Sequence, residues 1–197
     1  MLRSLTAVAM VLIAFFISPA TLSADVITVE TLGPLTSTSI NTSIRNDDGF
    51  DLLRVTFDLS GTLTSGGEQL VIDNLGYFSE VPPAGGTASY FQASPVGGGF
   101  STFGFDFTSF NHGDIFSFSW DPDIPSDSSY GATVADLRGI AVTVLTTGGT
   151  VSGVMDFDGA NMTAVIDSPT APVPEPASLF LLGTGLAGLR AWRKRRQ

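Results

Sequence analysis

The stretch from residue 25 to residue 168 predicts an antiparallel all-β fold, a β-sandwich of jelly-roll type. Three observations carry this. Apolar and polar residues alternate with period two, most plainly in Phe103-Gly-Phe105-Asp-Phe107 and Phe116-Ser-Phe118-Ser-Trp120, the spacing of strands buried on one face. Gly, Pro, Ser and Asn punctuate the stretch at short intervals, with Gly66-Gly67, Gly85-Gly86 and Gly97-Gly98-Gly99 as the clearest breaks. No sustained helical period appears between the two ends of the chain, and no fixed-period repeat points to a solenoid or propeller.

In chain order the pattern predicts about ten short strands, at 26–31, 39–44, 52–60, 69–73, 89–92, 103–107, 116–120, 140–145, 151–157 and 162–166. In the third, Val55, Phe57 and Leu59 share one face. Thr147-Gly-Gly-Thr150 joins two β-rich segments, and a Gly-Gly pair supplies the positive φ angles of a tight hairpin turn. Residues 132–138 predict one or two helical turns.

The two ends read differently. Met1-Leu-Arg3 is a short positive region, residues 5–17 are apolar, and Pro19 precedes small residues, the pattern of a secretory signal peptide over residues 1–24, cleaved after Ala20 or Ala24. The Sec translocon and signal peptidase are the expected partners of such a segment. Beyond Ser168, Pro169, Pro172, Pro174 and Pro176 crowd together, so 169–176 predicts an extended linker outside the 25–168 domain. Residues 177–189 carry no charge; as a helix they would span roughly 20 Å against a hydrocarbon core of about 30 Å. Arg190, Arg193, Lys194, Arg195 and Arg196 follow, with Trp192 among them. Such a cluster is held on the cytoplasmic side, so 177–197 predicts a transmembrane helix with a basic cytoplasmic tail.

The succession Pro174-Glu175-Pro176, apolar helix, basic cluster over residues 173–197 resembles the PEP-CTERM sorting domain of Gram-negative bacteria that make exopolysaccharide. The resemblance implies that Pro174, Glu175 and Pro176 are read by an exosortase, a membrane-embedded transpeptidase-like enzyme that cuts near the motif and passes the protein outward. It implies a destination and leaves the work of residues 25–168 open.

Composition narrows that work. All nineteen acidic residues lie between Asp25 and Glu175, where Arg45, Arg54 and Arg138 are the only basic side chains, giving this region a net charge of −16 against −10 for the chain. Such a surface repels phosphate backbones and disfavours nucleic acid as a partner. The chain has no cysteine, which removes thiol catalysis, Cys-based zinc sites and iron–sulfur clusters, and leaves the fold to its core or to bound ions.

Asp121-Pro-Asp123-Ile-Pro-Ser-Asp127 places three carboxylates on a proline-stiffened loop. Hard oxygen ligands of this kind suit Ca²⁺, so Asp121, Asp123 and Asp127 are the candidate calcium ligands. An EF-hand is excluded, since Ser126 and Ala132 stand where its glycine and bidentate glutamate belong. The ordinary alternative is that these residues cap turns; Asp47-Asp-Gly-Phe-Asp51 and Asp156-Phe-Asp-Gly159 are weaker candidates of the same kind, since Asp-Gly is first of all a turn signal. His112, the only histidine, reads as a turn residue, and no Gly-x-Ser-x-Gly elbow accompanies it. Gly183-x-Gly185-x-x-Gly188 has the form of a dinucleotide fingerprint, but only nine residues follow it, too few for the second strand and acidic residue such a site needs. Gly183 and Ala187 read better as a small-residue face for packing against another membrane helix. Tyr90, Phe91, Trp120 and Tyr130 would form a sugar-stacking platform if turned outward, although period two puts most such rings in the core.

The resulting expectation is a non-enzymatic exported protein of the cell surface or extracellular matrix, structural or adhesive within exopolysaccharide. The alternative is a polysaccharide-binding module assisted by calcium; a secreted glycosidase stands third, since sequence spacing says nothing of the separation of two carboxylates in space.

Overall fold

A computed structural model describes residues 26–159 and 161–167, with backbone alone at 74–79. The expected signal peptide, proline-rich linker, sorting motif, apolar helix and basic cluster lie outside these residues.

The chain forms eleven strands: β1 (Val26–Leu32), β2 (Ile40–Asn46), β3 (Leu52–Asp58), β4 (Val71–Val81), β5 (Thr87–Val96), β6 (Gly99–Phe110), β7 (Ile115–Asp123), β8 (Ala141–Thr146), β9 (Gly149–Val154), β10 (Asp156–Phe157) and β11 (Met162–Asp167). Every pairing among them is antiparallel. They form one sheet in the order β10-β11-β1-β2-β7-β4-β6-β3-β8-β9, with β5 on the other edge of β6. The join between the two halves is narrow. Val71 and Ile72 pair with Asp123 and Pro122 of β7, and Ile72 alone pairs with Phe100 of β6. At the opposite side β9 comes up against β11, where a Cβ on Gly153 would stand 2.9 Å from Ile166 Cγ1. The antiparallel all-β class expected from the alternation is thus present, as a single sheet curled nearly into a barrel. Among the described residues no helix is long and apolar enough to cross a membrane.

One core fills the sheet, and the predicted alternation supplies it. Phe103, Phe105 and Phe107 of β6 face Phe116, Phe118 and Trp120 of β7, all buried. Phe105 lies 4.7 Å from both Phe116 and Phe118, Phe103 lies 5.0 Å from Trp120, and Phe57 of β3 stacks on Phe103 at 4.9 Å. Each ring buries a large apolar area, and such pairs add about 0.5–1.5 kcal/mol beyond that burial. The one polar atom of Trp120, Nε1, donates to Thr42 Oγ1 at 2.9 Å on β2, which removes the cost of burying it unpaired.

Local irregularities adjust the predicted strands. A bulge between Leu52 and Arg54 lets Leu52 and Val55 point inward while Leu53 is turned out, the ordinary consequence of one extra residue in a strand. The segment expected as one strand at 151–157 is divided by Met155, which is buried and exchanges backbone bonds with residues 139–140: Gly139 N–H donates to its carbonyl at 3.0 Å, and its own N–H donates to Ile140 at 2.9 Å. The hairpin at 147–148 is present, with Thr146 opposite Gly149, and of its two glycines one serves the purpose expected and the other a different one. Positive φ falls on Gly149 (φ 139), whereas at Gly148 a Cβ would stand 2.5 Å from the Phe50 ring. The predicted helical turn at 132–138 is a short 3₁₀ turn at Val134–Leu137, held by the Asp136 carboxylate, which accepts from Thr133 N–H (2.8 Å) and Thr133 Oγ1 (2.7 Å).

The register fixes two ends. Val26 pairs with Asp167, so both termini of the described domain lie side by side. Following the antiparallel pairings outward, the turns at 47–51, 82–86, 111–114 and 147–148 share that end, and the loops at 33–39, 59–70, 97–98 and 124–140 gather at the other.

Candidate functional site

The loop end holds the acidic loop singled out in the sequence. β7 runs its alternation to the end: Trp120 and Pro122 are buried, Asp121 is half-buried on the outer side, and Asp123 is 6 % exposed. The chain then turns tightly, with Asp127 N–H donating to the Ile124 carbonyl at 3.1 Å. Two neighbours seat this loop. Gly97, with φ 58, sits so close beneath Pro125 that any Cβ would stand 2.7 Å from the proline Cβ. Ser126 Oγ lies 2.9 and 2.8 Å from the two carboxylate oxygens of Glu68, in the β3–β4 connection, and donates its one proton to that carboxylate.

Between the loop, the Gly97-Gly98 turn and the start of β4 lies a cavity of about 370 Å³. Asp123, Asp127 and Asp73 line it, together with Ser126, Ser128 and Gly98. Asp73 was not among the predicted ligands. It enters because Ile72 pairs with Pro122, which sets Asp73 beside Asp121 on adjacent strands, where like charges oppose each other.

The electrostatics follow from that crowding. Burial first, then the neighbouring Asp121, Asp73 and Asp127 carboxylates, push the Asp123 pKa up to about 6 from 3.8. Burial and Asp73 raise Asp121 in the same direction. Asp127 is lowered instead, because its Oδ1 accepts from the Ser129 hydroxyl (2.7 Å) and backbone N–H (2.9 Å). No cation of the domain relieves the group. Arg45 pairs with Asp47 at 2.7 Å, Arg54 with Asp106 at 2.6 Å and Arg138 with Asp156 at 2.9 Å, and these three are the only Lys or Arg residues among the described residues. The Asp123 carboxylate makes no hydrogen bond or ion pair among the described residues. The carboxylates do not form a closed cage: among the described residues no three His, Asp or Glu side chains are grouped so as to hold a metal ion by themselves.

Elsewhere the candidate chemistry disperses. His112 stands in the β6–β7 turn with Nδ1 3.1 Å from the Asp48 carbonyl, a bond that joins two turns. Asp48 Oδ1 accepts from Phe50 N–H at 3.3 Å and Asp158 Oδ1 from Asn161 N–H at 2.9 Å, so these aspartates hold turns, as their Asp-Gly context predicts. The four aromatic residues do not share a surface. Trp120 is in the core; Tyr90 packs on Phe103 and Phe105, its hydroxyl pushed up to about 12 by burial; and Tyr130 leans on the core edge. Phe91 alone points outward, its ring over Gly104 and the Arg54 guanidinium 4.9 Å from its centroid.

The remaining site is the C-terminal one. Residues 172–196 match the family model of the PEP-CTERM protein-sorting motif. The chain carries a PEP-CTERM sorting motif. That motif implies an exosortase as processing partner and export across the membrane to the cell surface. No curated protein and no solved structure significantly matches the chain, so the β domain takes no function from a relative.

Proposed function

We propose that this protein is an exported, non-enzymatic β domain, delivered through its PEP-CTERM signal and processed by exosortase, that serves as a structural or adhesive component of an exopolysaccharide matrix outside a Gram-negative cell. The single observation that carries the reading is the sorting motif at residues 172–196. The adjacency of Val26 and Asp167 supports it. Both flanking segments, the one read as a signal peptide and the one carrying the motif, leave the domain at one end. A membrane-held precursor would then stand with its acidic loop end turned away from the bilayer.

Replacing Pro174, Glu175 and Pro176 by alanine in the native host tests delivery. The expected outcome is a full-length membrane-bound form ending at Gln197, while the wild-type protein in surface material has lost its basic cluster by mass spectrometry. Wild-type surface protein that still ends at Gln197 would overturn processing.

A second reading, calcium-assisted polysaccharide binding, is favoured by the crowding of Asp73, Asp121 and Asp127 around Asp123. Co-sedimentation of the protein with extracted matrix polysaccharide, with and without chelator, separates it from the first: retention that disappears with chelator supports binding, and no retention in either condition supports a purely structural role.

A further inference from the structure

We propose that β5 is an assembly edge, at which a second copy of this chain adds its own β5 antiparallel and joins two sheets into one. Among the described residues β5 pairs with β6 alone, so alternate backbone N–H and C=O groups along it face a side where no strand lies. None of its residues is buried, whereas most of β6 beside it is. Such a row of donors and acceptors pairs with another strand unless charge, proline, a bulge or a cover guards it. The other edges are guarded. β10 is two residues long, and β9 comes up against β11; β4 beyond Ile72 carries Asp73 and Glu80 and is broken by two register shifts. On β5, Ser94 (φ 57) and Pro95 close one end. The stretch before them, Thr87-Ala-Ser-Tyr-Phe-Gln-Ala93, has no charge and no proline and keeps an unbroken register with β6.

Charge selects the occupant. Residues 25–175 carry a net −16, so two copies repel over most of their surface and approach most easily where charge is absent. Residues 81–105, which hold all of β5 and the first part of β6, contain no Asp, Glu, Lys, Arg or His. On the outer face behind them Arg54 and Asp106 neutralise each other at 2.6 Å. A twofold axis through the middle of 87–93 sets the same residues against each other, an isologous contact, over roughly 20 Å at about 3.3 Å per residue. The joined sheet runs β9-β8-β3-β6-β5 and continues through the second copy in reverse order. One strand edge is small beside the roughly 1,600 Å² of a stable interface, so the association is concentration-dependent. Antiparallel pairing also points the terminus ends of the two copies in opposite directions, which suits protein released from the bilayer. That consequence rests on the export reading, whereas the pairing does not.

The chain has no native cysteine, so a single introduced one carries a nitroxide label cleanly. The full chain in detergent, labelled at S89C on β5 or at S152C on β9, is followed by sedimentation velocity and by electron spin resonance distances. Dimer is expected to form with rising concentration and to increase on raising salt to about 0.5 M, because screening removes the repulsion between like-charged copies. The S89C labels should lie within about 20 Å of each other, and the S152C labels, four strands behind the edge in each copy, at least about 30 Å apart at ~4.8 Å per strand. S89E with A93E places like charges on the edge at exposed positions and should weaken association at least tenfold, while S152E should leave it unchanged. If the double variant does not fold by near-ultraviolet circular dichroism, the label distances decide. A chain that stays monomeric at high salt, a dimer whose S152C labels are closer than its S89C labels, or association unmoved by S89E with A93E, as contact through the apolar tail would give, would overturn the proposal.

Discussion

At the scale of single residues, Asp123 is the most consequential side chain in the domain. Its carboxyl has a pKa of about 6 when folded, against an ordinary value of 3.8, so between those values the folded state holds a proton that the unfolded state releases. A raised acid pKa therefore costs stability above pH 6, and the cost is relieved as pH falls through 6 towards 4. The groups facing it, Asp121 on β7, Asp73 on β4 and Asp127 in the loop, are all acidic, so the proton that Asp123 takes up also removes its repulsion with them. In chelator-containing buffer, Tm is expected to rise by a few degrees from pH 7.5 to pH 5. The gain is on the order of 1–2 kcal/mol, a two-unit shift of about 3 kcal/mol reduced by solvent at the cavity mouth. D123N should flatten that rise; a wild-type Tm that falls steadily over the same range would show that other groups govern the acid response. This residue was legible in the sequence as a candidate, but its surroundings were not, because they bring together the 124–128 turn, Gly98 and the start of β4.

Among the elements, the β8–β9 hairpin shows how local signals and packing divide the work. The turn was readable from Thr147-Gly-Gly-Thr150, yet the constraint on Gly148 is the Phe50 ring from the β2–β3 connection, a neighbour distant in sequence. Gly148→Ala is expected to lower stability by about 1–3 kcal/mol, since the new methyl meets a ring and the core tolerates added volume poorly. Thermal denaturation measures it. Pairing the substitution with Phe50→Ala should recover part of the loss if the clash is its cause, and additive losses would place the cause in the turn backbone. Strand limits were less legible than strand existence. β4 and β5 run to Val71–Val81 and Thr87–Val96, well past the short stretches expected at 69–73 and 89–92, because pairing with β7 and β6 continues through residues whose apolar positions do not alternate regularly.

For the whole molecule, the decisive feature is that both halves of the sheet enclose one aromatic core and are joined at Ile72. Neither half buries its rings alone. Unfolding of the domain is therefore expected to be a single cooperative event, with near- and far-ultraviolet circular dichroism melting together. Separate transitions would show that the two halves hold independent cores. Phe105, in contact with Phe116 and Phe118 across the core, is the place to test its strength: Phe105→Ala should cost about 3–5 kcal/mol and shift both signals equally.

The sequence by itself determined what is local in the chain. Period-two alternation is a property of neighbouring residues, so it announced the antiparallel all-β class and the inward rings of β6 and β7; the sorting motif is a contiguous string, so it announced the route of export. Only the tertiary structure decided which residues meet. Asp73 joins Asp121 and Asp123 because β4 pairs with β7 at Ile72 and Pro122, and a register between distant strands is set by the packing of the whole core rather than by either strand's own sequence. The same packing sent Trp120 and Tyr90 inward and left Phe91 outside, scattering the aromatic platform while drawing the carboxylates together.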